Sequence, residues 1–517
     1  MRSFLRRFGT LIYAILSGFD RLRFRGASRL LNNKRGANSY LYREDLLIKE
    51  FPAHAQQLTR QLNQGTEALA AAEGPPIHYL NSPNIDKEAV AQEDARQQGR
   101  HQGRIALLSC VESCSTYRVR KDKETGLIGL QKEEGRCQHF YHYFHHEQLG
   151  PCYVRVQTWF PFVLDVGLNG RSWLYQQLQR EGIPYRRCDN ILLEVADWSR
   201  AQQLLDEQLQ TDWPTLLADL TRRCNPLSAY LDQHAPYYWT TVQSKWATDV
   251  LFHSAADLSR WYERWLQHSV LVLNCRDILR FLGRRMSEKR FDPRFQGEVK
   301  GDLREREEGR RAKLWYETNS VKMYDKVANG LRLETTINQA KAFTVYRPKE
   351  GDENGEKDWR PMRKGIADLH RRAEVSQRAN DRLAESLAGV TETTPLGRLL
   401  EPLTRPVFQE GRRYRALQPV GGADGLLLRT IAQGDFLVQG FRNRDVRVAL
   451  YGETEDGVLR RRQSARVTRQ LRLLRAHGLI IRVQKTHRYQ LSAEGCRVVT
   501  ALLTALAANV TKLAAAV

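Results

Sequence analysis

Cysteine is scarce and scattered, with eight residues at 110, 114, 137, 152, 188, 224, 275 and 496 of a 517-residue chain. No disulfide framework follows from such spacing, and reduced thiols in a cytoplasmic protein are the expectation. Long apolar runs are missing as well. The run from Leu11 to Leu16 follows Arg2, Arg6 and Arg7 but is cut short by Asp20, Arg21, Arg23 and Arg25, which excludes a signal peptide. The alanine-rich C-terminus is interrupted by Asn509, Thr511 and Lys512, so no stretch is fit to span a bilayer and no membrane partner is expected. A phosphate-cradling glycine loop, a dinucleotide fingerprint and a Ser-His-Asp order are likewise absent. Acidic residues are the minority charge: 59 Asp and Glu face 81 Lys and Arg, a formal charge of +22. The basic excess is spread along the chain and points to a polyanion, DNA or RNA, with a second copy of the chain as a further partner.

A chain of this length exceeds one core. Four regions are expected: a basic and helical one over 1–104, α+β domains over 105–236 and 237–394, and a linker with a helical domain over 395–517. In the first region a short apolar segment and a basic stretch from Arg21 to Arg35 precede polar helical sequence. Strand-like runs at 105–110 and 117–120 return through 139–144 after a turn at Glu124-Thr125-Gly126. Alternating strands and helices over 153–209 predict helices on one face of a sheet. Further strands are expected at 248–252, 270–273, 313–316, 321–326 and 331–337, the last two joined by Ala328-Asn329-Gly330. Helices are expected at 256–267, 276–284 and 362–387. Pro395, Pro402 and Pro406 mark the linker.

Beyond the linker, helices are expected at 425–432 and at 443–451, the latter capped by Asn443 and stopped by Gly452. A third spans 462–477, where Val467, Leu471 and Leu474 recur at i, i+4 and i+7 while Arg466, Arg469, Arg472 and Arg475 ride on other faces. Two short strands, 480–483 and 488–491, flank a basic tip at Gln484-Lys485-Thr486-His487, and a last helix starts at Cys496. The run LRLLRAHGLIIRVQKTHRYQLSAEG, 471–495, resembles the winged helix-turn-helix domains of bacterial transcription regulators and replication proteins. That resemblance implies that Gln463, Arg466, Arg469, Gln470 and Arg472 read bases or phosphates, and that Lys485, His487 and Arg488 are wing contacts.

The run LWYETNSVKMYDKVANGLRLETTIN, 314–338, puts Lys322, Tyr324 and Lys326 on one face of a strand and Arg332 with Glu334 on one face of its partner. Upstream, WATDVLF sets Asp249 between apolar residues. Together these resemble rolling-circle replication initiators and relaxases of plasmids and mobile elements. The resemblance implies sheet-based, ferredoxin-like domains ahead of the winged helix, and a divalent cation, Mg or Mn, held by Asp249 and Glu334. It also implies a tyrosine nucleophile, Tyr316 with Tyr324 in reserve, and a catalytic Lys326. Three features depart from the family: a short interval between the tyrosines, Glu317-Thr318-Asn319 after the first of them, and no His-hydrophobic-His pair. The other reading is a non-catalytic binder, a regulator or an RNA-holding protein that is guided to DNA. Cys110, Cys114, Cys137 and His139 are read as buried groups rather than a zinc site, and the aromatics of HFYHYFHH and WFPF as core.

Overall fold

The computed structural model describes residues 1–121, 126, 128–271, 273, 275–282, 299–306, 309–327, 329–349, 351–352, 354–389, 396–409, 411–432, 436, 440–483 and 487–507. In chain order α1 (Arg2–Phe8) leads into β1 (Ile12–Ser28), followed by α2 (Lys34–Arg43), α3 (Phe51–Glu73), β2 (Ile77–Leu80) and α4 (Lys87–Gln97). Next come β3 (Gly103–Lys121), β4 (Ile128–His146), β5 (Gly150–Gln157), β6 (Leu164–Asn169) and α5 (Gly170–Arg180). The hairpin β7 (Tyr185–Cys188) and β8 (Ile191–Val195) precedes α6 (Trp198–Glu207), α7 (Trp213–Cys224) and α8 (Ser228–His234). Then follow β9 (Tyr237–Phe252), α9 (Ala255–Leu271), α10 (Cys275–Phe281), β10 (Val299–Arg306), β11 (Gly309–Tyr316), β12 (Asn319–Lys326) and β13 (Gly330–Ile337). The chain continues through β14 (Thr344–Arg347), β15 (Asp358–Pro361), α11 (Leu369–Ala388), α12 (Leu396–Leu400), β16 (Val407–Gln409) and β17 (Arg412–Tyr414). It ends with α13 (Gly422–Ile431), α14 (Asn443–Tyr451), α15 (Gly457–Ala476), β18 (Ile480–Arg482), β19 (Tyr489–Leu491) and α16 (Ala493–Ala507).

The fold is α+β, and its contacts divide it into two compact units. Met1–Glu263 and Gly301–Ala384 belong to the first, Arg264–Arg280 and the chain from Glu385 onward to the second. One mixed eleven-stranded sheet has the order β10-β11-β12-β13-β9-β1-β6-β5-β4-β3-β2. β2 runs parallel to β3, whereas each neighbouring pair from β3 to β11 is antiparallel.

The central strand of the sheet is β1, in a stretch that composition alone marks as apolar and then basic. Its physical signal is the alternation Leu22-Arg23-Phe24-Arg25: Leu22 and Phe24 are fully buried while the arginines turn to the other face. Burying a side chain the size of Phe24 contributes about 1.5–3 kcal/mol. Because β1 pairs with β6 on one side and β9 on the other, strands on either side of residue 236 share one sheet.

Helices cover both faces, not one. Gly18 faces Leu205 of α6, whereas its neighbour Phe19 and the paired Trp246 lie on the side of α11, where the Trp246 indole donates to Gln377. The unbroken burial of 246–252 is the mark of a strand covered on both sides. Two other elements differ from expectation. Residues 117–120 and 139–144 belong to two 19-residue strands, β3 and β4, which pair along their whole length. Val270 and Leu271 end the amphipathic helix α9 instead of forming a strand. Glu124, Thr125, Ala328, residues 283–284 and Pro395 lie outside the described residues.

In the second unit α13, α14, α15 and α16 bury Leu427, Leu428, Val446, Val467, Leu471, Leu474, Val499 and Leu502 in one core. β18 and β19 form an antiparallel hairpin, and Phe441 bridges to Tyr489 beside it. α15 starts at Gly457, five residues ahead of expectation, because the Asp456 carboxylate accepts from the Val458 and Leu459 amides. Asn443 is not the cap of α14. Arg442 holds that position, its amide donating to Asp445, while Asn443 Nδ2 donates across to Ser464 O and Thr468 Oγ1 of α15. α16 starts at Ala493 rather than Cys496, with Ser492 Oγ accepting from the Gly495 amide. A Cβ on Gly495 would lie 1.9 Å from Leu479 O, so this helix start requires glycine.

Candidate functional site

Two sets of residues singled out by the sequence occupy separate units. In the first unit, antiparallel register sets Asp249, Arg332, Tyr324 and Arg311 in one row across β9, β13, β12 and β11, and Ala247, Glu334, Lys322 and Lys313 in the next. The period of two that pairs Lys322 with Tyr324 and Arg332 with Glu334 thus brings all four to a common face. Tyr316 does not join them, since it pairs with Asn319 and so points to the opposite face, where it is buried.

Arg332, fully buried, anchors the first row. Its Nε and Nη2 donate to the two Asp249 oxygens at 2.5 and 2.8 Å, Nη1 donates to Asp20 Oδ1 at 3.1 Å and Nη2 also to Asn190 O at 2.6 Å. Burial works against the guanidinium charge, but Asp249, the Tyr324 phenol and Asp20 outweigh it and lift the Arg332 pKa well above its ordinary value. Arg171 of α5, also fully buried, places Nη2 3.0 Å from Asp249 Oδ2 and donates to Ala247 O. Lys326 Nζ meets Asp189 Oδ2 at 2.6 Å and the Asn190 side chain, both on the β7–β8 turn.

The second row is similarly satisfied. Glu334 accepts from Lys322 Nζ at 2.6 Å and from the Tyr324 hydroxyl at 3.0 Å, with Lys245 Nζ 4.0 Å away. Burial raises the Glu334 pKa, yet Lys322 and Lys245 overcome it and hold the carboxyl at about 2. Burial first, and then Glu334, push the Tyr324 phenol well above its usual range. A divalent cation does not fit these carboxylates as placed. Asp249 is engaged by two guanidinium groups and Glu334 by two ammonium groups, so each already has its countercharge and its oxygens their donors.

In the second unit the sequence candidates sit on α15 and its hairpin. Arg466, Arg469 and Arg472 are exposed, Gln463 and Gln470 half-buried. At 100° per residue Arg462, Arg466 and Arg469 fall within an arc of about 60°, opposite the buried Leu471. Arg460, Arg461 and Arg462 extend the exposed basic surface toward the helix start; the first two lie ahead of the helix expected over 462–477, and none of the three was among the expected contacts. Among the described residues no carboxylate pairs with any of these six arginines. His487 is exposed, and Arg488, half-buried, donates Nη1 to Gly440 O at 3.2 Å. Lys485 lies outside the described residues.

No family model, curated protein or solved structure matches this chain. Its chemistry is therefore read from its own side chains. Cys110 sits opposite His139 on β3 and β4, and Cys114 and Cys137 lie on the same two strands. Burial lowers the His139 pKa to about 4, with Arg155 adding to the effect. Among the described residues no group of three or more His, Cys, Asp and Glu side chains is placed to hold a metal ion. Among them too, no helix is long and apolar enough to cross a membrane.

Proposed function

We propose that this chain is a nucleic-acid-binding protein whose second unit works as a winged helix-turn-helix, with α15 as the recognition helix and the β18–β19 hairpin as the wing. The observation that carries this reading is the arginine stripe of Arg462, Arg466 and Arg469, exposed and without carboxylate partners among the described residues. Uncompensated guanidinium groups along one helix face suit phosphate contacts and bidentate reading of base edges. Gln463, Gln470, Arg472, His487 and Arg488 are further contacts in this reading, and Lys485, outside the described residues, is expected to join them by sequence alone. The basic first unit joins it as a binder of a plasmid-type or mobile-element nucleic acid.

Binding without strand cleavage is the activity that the geometry favours. In the nickase reading Tyr316, or Tyr324 in reserve, would attack a phosphate polarised by a cation on Asp249 and Glu334, but Tyr316 points to the opposite face of the sheet and both carboxylates are already matched by arginine and lysine. Fluorescence anisotropy with a labelled duplex tests the reading. Replacing Arg462, Arg466 and Arg469 together by Ala is expected to weaken binding at least about tenfold and to reduce the slope of log K against log salt by about 2.7. Equal affinity in the triple variant rejects α15 as the grip. A covalent protein–DNA adduct formed with Mg or Mn and lost in Tyr324→Phe would overturn the non-catalytic assignment.

A further inference from the structure

Beside the β4–β5 turn of the first unit lies a cleft of about 870 Å³, within the range of small-molecule sites. One wall is aromatic and cationic. The ring of Tyr185 stacks on Tyr175 with centroids 5.5 Å apart and planes 14° from parallel, and the Arg187 guanidinium lies 4.7 Å from the Tyr175 ring centre. Tyr185 is half-exposed and Arg187 exposed, so this stack presents a flat π surface and a charge to the cleft.

The rest of the lining is built to hold an anion. Of the four arginines in the lining, Arg104 pairs with Glu73 and Arg223 with Asp219, and among the described residues neither Arg180 nor Arg187 has a carboxylate partner. Three buried polar atoms of the lining lack hydrogen-bond partners. His146 Nδ1 accepts from the Gln148 and Leu149 amides, which places the proton of the neutral ring on Nε2, a buried donor with no acceptor. Gln176 spends both hydrogens of Nε2 on the carbonyls of His146 and Glu147, leaving Oε1 a buried acceptor with no donor. The Tyr175 hydroxyl, on a side chain almost wholly buried, is the third. Folded proteins rarely leave such groups unmatched, and all three belong to side chains that line this cleft, beside a stacking surface and two arginines without carboxylate partners among the described residues.

We propose that this cleft binds a nucleoside monophosphate group, either as a free nucleotide or as the 5′-phosphorylated end of a nucleic-acid strand. The base stacks on Tyr185, and Arg180 and Arg187 take the phosphate. A phosphomonoester anion suits Arg180 and Arg187, the two arginines of the lining that are left once Arg104 has paired with Glu73 and Arg223 with Asp219. The site is separate from α15, so failure of either assignment leaves the other standing.

Isothermal titration of the full chain with adenosine 5′-monophosphate, adenosine, and a single-stranded decanucleotide bearing either a 5′-phosphate or a 5′-hydroxyl tests it. Saturable binding of the monophosphate is expected, with adenosine at least about tenfold weaker. Tyr185→Ala and Arg187→Ala should each lose at least about tenfold while melting temperature and duplex affinity stay unchanged. If Tyr185→Ala fails to fold, Arg180→Ala, at an exposed position, takes its place. A preference for the phosphorylated decanucleotide over its hydroxyl form assigns the strand end. Response to the free monophosphate alone assigns a free nucleotide. Absence of saturation by either phosphorylated ligand at about 5 mM, indifference to the phosphate, or unchanged binding in the variants overturns the proposal.

Discussion

Arg332 spends its guanidinium on two carboxylates and a carbonyl that come from three other elements, so its removal strips several partners at once. Arg332→Met keeps much of the volume but leaves Asp249 and Asp20 buried with less countercharge. Breaking such a network typically costs about 3–5 kcal/mol. A fall of that size in the urea-derived stability of the first unit is expected, and a midpoint unchanged from the native chain would show that the network contributes little. The same residue marks where local pattern stops being informative. That Arg332 and Glu334 share a face, and Lys322 and Tyr324 theirs, follows from alternation in the sequence. That Asp20, Arg171 and Asn190 complete the cluster does not, because Asp20 lies 312 positions from Arg332 and no periodicity connects them.

At the scale of elements, α15 depends on its first turn. The Val458 and Leu459 amides there donate to the Asp456 carboxylate, so Asp456→Ala is expected to cost about 0.5–2 kcal/mol. Thermal unfolding of the second unit should shift down accordingly, while duplex binding at low temperature changes little because the arginine stripe lies farther along. The first turns of this helix escaped the apolar period for a physical reason: Val458 and Leu459 are exposed, so no buried stripe begins until Val467. The cap itself, an acidic residue ahead of a helix-forming run, was the signal available. β1 was missed differently. Its arginines read as a basic stretch, although their alternation with Leu22 and Phe24 already carried the period of a strand with one buried face.

For the whole molecule, acid is the predicted weakness. Burial lowers the pKa of His54, His139, His142 and His146, to about 4 for His139, which favours the neutral rings in the folded first unit. Unfolded histidine titrates near 6.5, and below that pH the unfolded chain binds more protons than the folded one. Their stabilising contribution is therefore complete above about pH 6.5 and is lost as pH falls toward 4. Glu334, held at about 2 against a usual 4.5, adds a second loss as pH falls through that lower range. Melting temperatures at constant ionic strength should be higher at pH 8 than at pH 5; a flat profile would mean that these rings are solvated. The net basic charge was legible from composition, whereas this acid sensitivity was not, because it depends on which histidines the sheet encloses.

The position of β1 also sets a schedule for folding. Residues 12–28 are synthesised before their pairing partners, Leu164–Asn169 and Tyr237–Phe252, so the middle of the sheet must wait for more than two hundred further residues. Until then the growing chain carries unpaired strand edges on both halves, the kind of surface that chaperones shield.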